Sequence, residues 1–139
     1  MINDKLTKKL QEQITENKND IDNMKPYILY NNIDGENTSL TLSDKYQNYR
    51  KLMIYFYCNV NKVAYFSQEI DTTIDNFNLM GFFKASDYVG QLVSEKFQMN
   101  DKTISYINNA RANLNSNWST SQITYNTKDI YIYKVIGYK

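Results

Sequence analysis

The sequence has no histidine and only one cysteine, one proline and four glycines among its 139 residues. Without histidine, the chain cannot build a His-containing catalytic triad or a metal site that uses imidazole. The lone cysteine, Cys58, excludes an internal disulfide, and we expect it to be a small buried apolar residue rather than a nucleophile. The glycines are isolated, so no glycine-rich phosphate-binding loop is expected. We therefore predict no catalytic residue, no bound metal and no cofactor, and the chain is not expected to be an enzyme.

A strong charge and a long apolar run are missing as well. The formal net charge is +1, so electrostatics supplies no general attraction to nucleic acid or to an anionic membrane. No apolar run reaches the ~18 residues of a membrane-spanning helix, and none precedes a signal-cleavage site. We expect no nucleic acid and no membrane among the partners. With 42% hydrophobic residues, the chain has enough apolar side chains for one core.

The chain changes character at Pro26. Residues 3–25 contain no glycine or proline and are rich in Lys, Gln, Glu and Asp, which indicates one helix that ends where Pro26 disfavours helical geometry. Beyond Pro26, β-branched and aromatic residues recur in short runs between polar turns. We predict a mostly β protein in which residues 1–25 form a short trimeric coiled-coil stalk and residues 26–139 form an antiparallel β-sandwich head. Strands are predicted at Tyr27–Tyr30, Thr38–Leu42, Leu52–Cys58, Lys62–Gln68, Asn78–Lys84, Gly90–Gln98, Thr103–Ile107, Ala110–Leu114 and Ile130–Tyr138, with turns at Asn31–Gly35 and Asn100–Lys102.

The helix carries apolar residues at the alternating spacing of four and three that is typical of a coiled coil. With Ile14 at heptad position a, the seam consists of Leu10, Ile14, Asn17, Ile21 and Met24. A seam this narrow leaves a lone helix marginal, so we predict that identical copies bury it in a parallel homotrimer. Asn17 places an amide in the seam, which lowers stability but specifies register and oligomeric state. The alternative is a monomeric helix whose stripe packs against the head.

A tryptophan in a polar segment is the main sequence candidate for ligand binding. Trp118 offers a flat apolar ring to a sugar, and the amides and hydroxyls around it offer donors and acceptors to the sugar hydroxyls. Arg111 and Lys128 lie nearby in the sequence and could meet a phosphate of a teichoic-type polymer. The alternative is that Trp118 closes the end of the sandwich as a core residue. The candidate ligand-binding residues are Asn115, Asn117, Trp118, Ser119, Gln122 and Tyr125.

The last predicted strand has large residues on both faces. Its two faces are Ile130, Ile132 and Ile136, and Tyr131, Tyr133 and Val135. We expect the first face to fill the core. The second is expected to be covered either by a neighbouring protomer or within the same chain.

Four segments of the head resemble a known family. They are Ile28–Asn31, Thr41–Asp44, Asn48–Tyr57 and Ile130–Lys139, which read ILYN, TLSD, NYRKLMIYFY and IYIYKVIGYK. These segments are similar to the opening and the final strand of the C-terminal head domain of tail fibre and minor structural (receptor-binding) proteins in phages and prophages of low-GC Gram-positive bacteria. Residues 60–125 match no pattern of that family, and Tyr133 stands where a small residue is expected.

The resemblance implies a homotrimeric phage tail fibre tip whose head adsorbs to a bacterial surface polysaccharide or a teichoic-type polymer. It also implies other tail or baseplate proteins as partners, synthesis in the host cytoplasm, and a final location at the tail tip of the virion. In the stalk, Ile14 and Asn17 resemble an Ile-x-x-Asn motif of trimeric fibre stalks, in which three amides surround a central anion or water. The alternative function is a purely structural trimerisation knob that caps a fibre without contacting the host.

Overall fold

The computed structural model describes residues 2–58, 64–86, 89–114 and 120–139. A helix, α1, spans Ile2–Met24, and nine strands follow within these residues, with a short 3-10 helix at Tyr46–Asn48. The helix therefore ends just before Pro26, as predicted, and the rest of the described chain is mostly β. The strands are β1 (Pro26–Glu36), β2 (Ser39–Thr41), β3 (Lys51–Cys58), β4 (Ala64–Asp71), β5 (Asn76–Ser86), β6 (Val89–Asn100), β7 (Thr103–Leu114), β8 (Thr120–Tyr125) and β9 (Ile130–Tyr138).

The strands form two sheets that enclose one hydrophobic core. The first sheet has the order β1-β9-β3-β4, and the second has the order β2-β7-β6-β5. β2 and β8 both pair with the same edge of β7, β2 near the start of β7 and β8 near its end. Every pairing among the described strands is antiparallel, as predicted. Ile54 and Phe56 of the first sheet and Val93 and Phe97 of the second are among the core residues.

Three predicted segments differ from the structure. The predicted strands Thr103–Ile107 and Ala110–Leu114 are one strand, β7, because a register shift against β6 absorbs the irregular residues between them. The segment Thr120–Tyr125 is a strand rather than part of a loop, because the edge of β7 is available for pairing. The predicted turn Asn31–Gly35 lies inside β1, which pairs with β9 again at Glu36 after a bulge.

A bulge in β9 changes which of its residues face the core. Tyr133 is the extra residue between the pairs that β9 forms with Tyr55 and Phe56. The alternation of side chains reverses there, so Val135 packs in the core and Ile136 is buried on the outer face. The prediction that grouped Val135 with the outward tyrosines is therefore wrong.

The apolar stripe of α1 is open to solvent in the single chain. Leu10 and Ile14 are 56% and 65% exposed, and Ile21 and Met24 are 56% and 71% exposed. The stripe therefore does not pack against the described part of the head, so the packing predicted in the monomeric alternative is not observed. Asn17 accepts a hydrogen bond at 2.8 Å from Gln13 on the preceding turn. Within the described residues, no helix has both the length and the apolar character needed to cross a bilayer.

Candidate functional site

The outer face of the second sheet contains a concavity of about 480 Å³. Residues of β5, β6, β7 and β8 meet there because the register places them side by side in two neighbouring rows. The first row is Asn78, Lys96 and Asn108, and the second is Met80, Ser94, Ala110 and Tyr125. The residues that line the concavity are Asn78, Ser94, Lys96, Asn108, Asn109, Ala110, Tyr125 and Asn126.

Differences in side-chain size explain the hollow. Ser94 and Ala110 are small and lie next to each other in the middle of their row, whereas Lys96 and Tyr125 beside them are long. Tyr125 is 68% exposed, so both the ring and the hydroxyl are accessible. An exposed ring at the border of a shallow hollow can stack on the flat side of a ligand.

The lining is polar but carries little charge. The carboxamides of Asn78, Asn108 and Asn126 supply hydrogen-bond donors and acceptors, and the Ser94 hydroxyl supplies both. Lys96 is the one charged residue among the described residues of the lining, which include no carboxylate. Such a lining suits a neutral ligand with many hydroxyl groups, or one that also carries a negative charge near Lys96.

A buried amide holds the floor of the concavity. Asn109 is 3% exposed, and its Oδ1 accepts hydrogen bonds from the Tyr106 hydroxyl at 2.9 Å and from the backbone amide of Lys128 at 3.2 Å. Its Nδ2 donates to Thr127 Oγ1 at 2.8 Å and to Asp129 Oδ2 at 3.2 Å. This side chain has all of its hydrogen-bonding groups in use, so it fixes β7 to the turn between β8 and β9.

That turn has uncommon backbone geometry beside the concavity. Asn126 and Lys128 adopt φ angles of +57° and +50°. Asparagine tolerates this left-handed region well, whereas lysine is disfavoured there. The backbone amide of Asn126 donates to the carbonyl of Asn109 at 3.1 Å, which holds Asn126 in the lining. The network around Asn109 therefore maintains a strained turn at the border of the site.

Comparisons with known proteins do not assign the chain to a family. No protein-family model matches it, and no curated protein matches it. We therefore argue the function from the residues and the geometry of the site.

Two cations that were expected near a phosphate ligand are engaged within the head. Arg111 Nη1 lies 2.9 Å from Asp129 Oδ1, and Asp129 is buried. Lys128 Nζ lies 5.3 Å from the centre of the Tyr106 ring. Lys96 is the cation that the concavity itself presents. The sequence-based role for Arg111 and Lys128 therefore receives no support.

The predicted ligand-binding residues separate into three groups. Tyr125 lines the concavity. Gln122 is an exposed residue of β8 opposite Asn113, outside the lining, so it belongs to a strand rather than to the predicted loop. The other four lie outside the described residues. They are Asn115, Asn117, Trp118 and Ser119.

Sequence reasoning missed most of the lining. Asn78, Ser94 and Lys96 are single polar residues of predicted strands, and Asn108 lies between two predicted strands. Nothing in the local pattern separates these four residues from ordinary solvated positions. The available signal was that Ser94 and Ala110 are small, whereas Lys96 and Tyr125 nearby are large. Only the register of the paired strands shows that Ser94 and Ala110 lie side by side.

An acidic residue opposite Asn109 faces the core instead of the site. Glu95 is fully buried, and neither of its carboxylate oxygens has a hydrogen bond of normal geometry among the described residues. Burial raises the pKa of Glu95 to about 8, and the Asp129 carboxylate adds to the rise. The backbone amides of Ile130 and Asp129 and the charge of Lys128 oppose this rise only in part.

The nearby Cys58 is buried, so the sequence prediction of a buried cysteine is confirmed. Burial raises the pKa of its thiol to about 12. Within the described residues, no group of three or more acidic or cysteine side chains could hold a metal ion.

The outer face of the first sheet carries a cluster of tyrosines. The rings of Tyr57 and Tyr131 are stacked, with centroids 5.2 Å apart and an interplanar angle of 2°. β1 crosses both rings at Gly35. A Cβ added to Gly35 would lie only 2.8 Å from the Cβ of Tyr131, and the φ angle of Gly35 is +73°, so both the space and the backbone favour glycine here. The Tyr57 hydroxyl donates to the carbonyl of Asp34. Part of this face is thus covered within the same chain, one of the two alternatives predicted for it, while Tyr65 at its edge is 59% exposed.

Proposed function

We propose that the chain is a phage tail fibre tip whose head binds a bacterial cell-surface saccharide in the concavity beside Tyr125. The observation that carries the proposal is the convergence of carboxamides, a hydroxyl and an exposed tyrosine ring on one sheet face. The resemblance of residues 28–52 and 130–139 to receptor-binding heads supports the biological setting. Because these segments lie outside the concavity, the two lines of support are independent.

Each part of the lining has a role in this proposal. The Tyr125 ring stacks on the CH-rich side of a sugar ring, while Asn78 and Asn108 exchange hydrogen bonds with hydroxyls. Lys96 pairs with a phosphate or carboxylate where the polymer carries one. The floor that Asn109 holds keeps these groups in place before the ligand arrives, which reduces the entropy that binding must overcome.

The exposed stripe of α1 supports the trimeric part of the proposal. Three copies joined by their stalks present three concavities to one cell surface. The second and third contacts then form at high effective concentration, so weak sugar contacts sum to useful avidity.

Replacing Tyr125 by alanine should lower binding by at least tenfold, which corresponds to about 1.4 kcal/mol at each site. The stacking ring is lost, but the fold is retained because the side chain is 68% exposed. The measurement is binding of the full chain to a panel of purified cell-wall polysaccharides and wall teichoic acids from low-GC Gram-positive bacteria. Melting temperatures of the same samples show that the variant is folded.

Tyr65→Ala is the matched control, since Tyr65 is 59% exposed on the outer face of the other sheet. It should bind like the wild type. Loss of binding in Tyr65→Ala but not in Tyr125→Ala would contradict the proposed site and favour the tyrosine cluster. A folded wild type that binds nothing in the panel would favour the trimerisation knob, and release of free sugar would indicate an enzyme.

The full chain should have a solution mass three times its chain mass of 16.4 kDa. Ile14→Asp should yield monomers, because three carboxylates would meet in an apolar seam. Thr15→Asp is the matched control, since Thr15 lies at the adjacent heptad position b and is exposed. Light scattering at micromolar concentration measures all three proteins. A monomeric wild type would contradict the stalk.

A further inference from the structure

A hydroxyl, a carboxylate and a carboxamide meet where β7 contacts the turn between β8 and β9. Thr127 Oγ1 accepts a hydrogen bond from Asn109 Nδ2 at 2.8 Å and donates its own proton to Asp129 Oδ2. The same carboxylate oxygen accepts a second hydrogen bond from Asn109 Nδ2, at 3.2 Å. The three side chains therefore form a closed triangle of hydrogen bonds.

The triangle contains a nucleophile with a base beside it. A hydroxyl becomes a strong nucleophile when an adjacent base takes its proton, and the Asp129 carboxylate is placed to take the proton of Thr127. The carboxylate is held in position, since its other oxygen, Asp129 Oδ1, lies 2.9 Å from Arg111 Nη1. The group that the nucleophile faces is the Asn109 carboxamide. Its carbonyl carbon is one covalent bond away from the nitrogen that Thr127 contacts.

Two donors are directed at the oxygen of that carboxamide. Asn109 Oδ1 accepts hydrogen bonds from the Tyr106 hydroxyl at 2.9 Å and from the backbone amide of Lys128 at 3.2 Å. Donors in this position stabilise the negative charge that develops on the oxygen when a nucleophile adds to the carbon. Asn126 and Lys128, on either side of Thr127, have left-handed backbone angles. The strained turn therefore presents a nucleophile and an oxyanion donor to the same carboxamide.

The surroundings favour attack by the hydroxyl over attack by water. Asn109 is 3% exposed and Asp129 is 8% exposed, so bulk water has little access to the carboxamide. Glu95 lies opposite Asn109 on β6 and is fully buried. Because burial raises the pKa of Glu95 to about 8, this neighbour is mostly uncharged at neutral pH and does not repel the charge that develops on Asn109 Oδ1.

We infer that the chain closes an ester bond between Thr127 and Asn109 in a single reaction with itself. Asp129 Oδ2 takes the hydroxyl proton as Thr127 Oγ1 bonds to the carboxamide carbon. The carbon–nitrogen bond then breaks, and the same Oδ2 returns the proton to the departing nitrogen, which leaves as ammonia. The hydroxyl and the carboxamide are consumed, the ester and ammonia are formed, and the Asp129 carboxylate ends as it began. The arrangement described above is that of the unreacted chain.

The ester links β7 covalently to the turn that precedes β9. Asn109 and Thr127 are 18 positions apart in the sequence. A covalent link that closes a loop of this size stabilises a fold by restricting the unfolded chain. The ester also fixes the floor of the concavity, but its formation does not depend on a saccharide or on the proposed function.

The intact mass of the full chain tests the ester. After purification at neutral pH, the denatured wild type should be lighter than its sequence mass by the mass of one ammonia. Thr127→Val replaces the hydroxyl by a methyl group of similar size and should have its full sequence mass. Thr124→Val is the matched control, since Thr124 lies on β8 opposite Arg111 and outside the triangle. It should lose ammonia as the wild type does.

Peptide mapping locates the bond in the wild type itself. Trypsin cuts after lysine and arginine, so Asn109 and Thr127 fall in the separate peptides 103–111 and 112–128. In the wild type these two peptides should remain joined, and hydroxylamine, which cleaves esters, should separate them. In Thr127→Val the peptides should separate without hydroxylamine.

Three results would overturn the inference. A folded wild type with its full sequence mass would mean that no ester forms. Loss of ammonia that persists in Thr127→Val would indicate a cyclised asparagine instead, and conversion of Asn109 to aspartate would mean that water attacks the carboxamide. Thr127→Ala takes the place of Thr127→Val if the latter does not give a cooperative melt. The Tyr125→Ala binding assay decides the saccharide function separately.

Discussion

Replacing Glu95 by glutamine is expected to raise the melting temperature by about 10 °C at pH 8 and to leave it nearly unchanged at pH 5. The pKa of Glu95 is about 8 in the folded protein, against an ordinary value of 4.5. The folded state therefore binds more protons than the unfolded state between these values, and stability falls as pH rises from about 4.5 to about 8. This pKa difference lowers the free energy of unfolding of the wild type by on the order of 4 kcal/mol at pH 8. Glutamine has a similar shape and carries no charge at either pH.

Two half-buried carboxylates have the opposite effect on stability, and at lower pH. The Thr38 hydroxyl lowers the pKa of Glu36, and the Tyr49 hydroxyl lowers the pKa of Asp44. The stability that these groups add is present above their unfolded pKa values and is lost as pH falls through their folded values. Each contribution is small because the groups are solvated. Wild-type stability should therefore be greatest near about pH 5.

Thermal melts across this pH range test the role of Glu95. Glu16→Gln is the control, because Glu16 is exposed on α1. The wild type and Glu95→Gln should converge at pH 5 and separate steadily toward pH 8. Parallel profiles would mean that Glu95 is ionised in the folded protein with a partner that stabilises its charge.

Replacing Gly81 by alanine should destabilise the head by about 2–3 kcal/mol. A Cβ at Gly81 would fall well inside van der Waals contact with Cys58 Sγ and would lie 3.3 Å from Phe66 Cε2. Gly81 belongs to the second sheet and the other two residues belong to the first. The sheets therefore approach so closely at this point that a methyl group must push them apart, and the buried sulfur cannot move into solvent.

A double-mutant cycle isolates this contact. Cys58→Ala removes the sulfur and should restore most of the stability that Gly81→Ala loses, which appears as strong coupling in urea denaturation. Gly90→Ala is the matched control: a Cβ there would lie 2.8 Å from the tip of the Phe82 ring, which is 40% exposed and can shift. Additive effects of Gly81→Ala and Cys58→Ala would show that the loss does not arise from the contact with the Cys58 sulfur.

Local sequence was sufficient to predict the helix and most strands. Pro26 ends α1 through contacts with its immediate neighbours, so the boundary depended on no distant residue. The run from Leu52 to Cys58 predicted β3 correctly, and the predicted burial of Cys58 is confirmed. The predicted turn at Asn100–Lys102 is also confirmed, with Asp101 at φ +54°.

The errors arose where strand pairing outweighs local preference. Asn31–Gly35 has the composition of a turn, yet β9 pairs with β1 on both sides of it. Thr120–Tyr125 has no strong strand pattern, but β7 supplies the edge that orders it. At Tyr133 a bulge reversed the faces of β9, because the partner strand β3 has one residue fewer in the corresponding stretch.

The stripe of α1, the end of that helix and the apolar residues of each strand follow from local sequence alone. These properties depend on side-chain chemistry and on periodicities of a few residues. Strand pairing, in contrast, brings Asn78, Lys96, Asn108 and Tyr125 together around one hollow and places Leu92 and Ile123 in one row. Their neighbourhood depends on the register of four strands, and register is set by the packing of the buried face and by bulges rather than by the outward residues themselves.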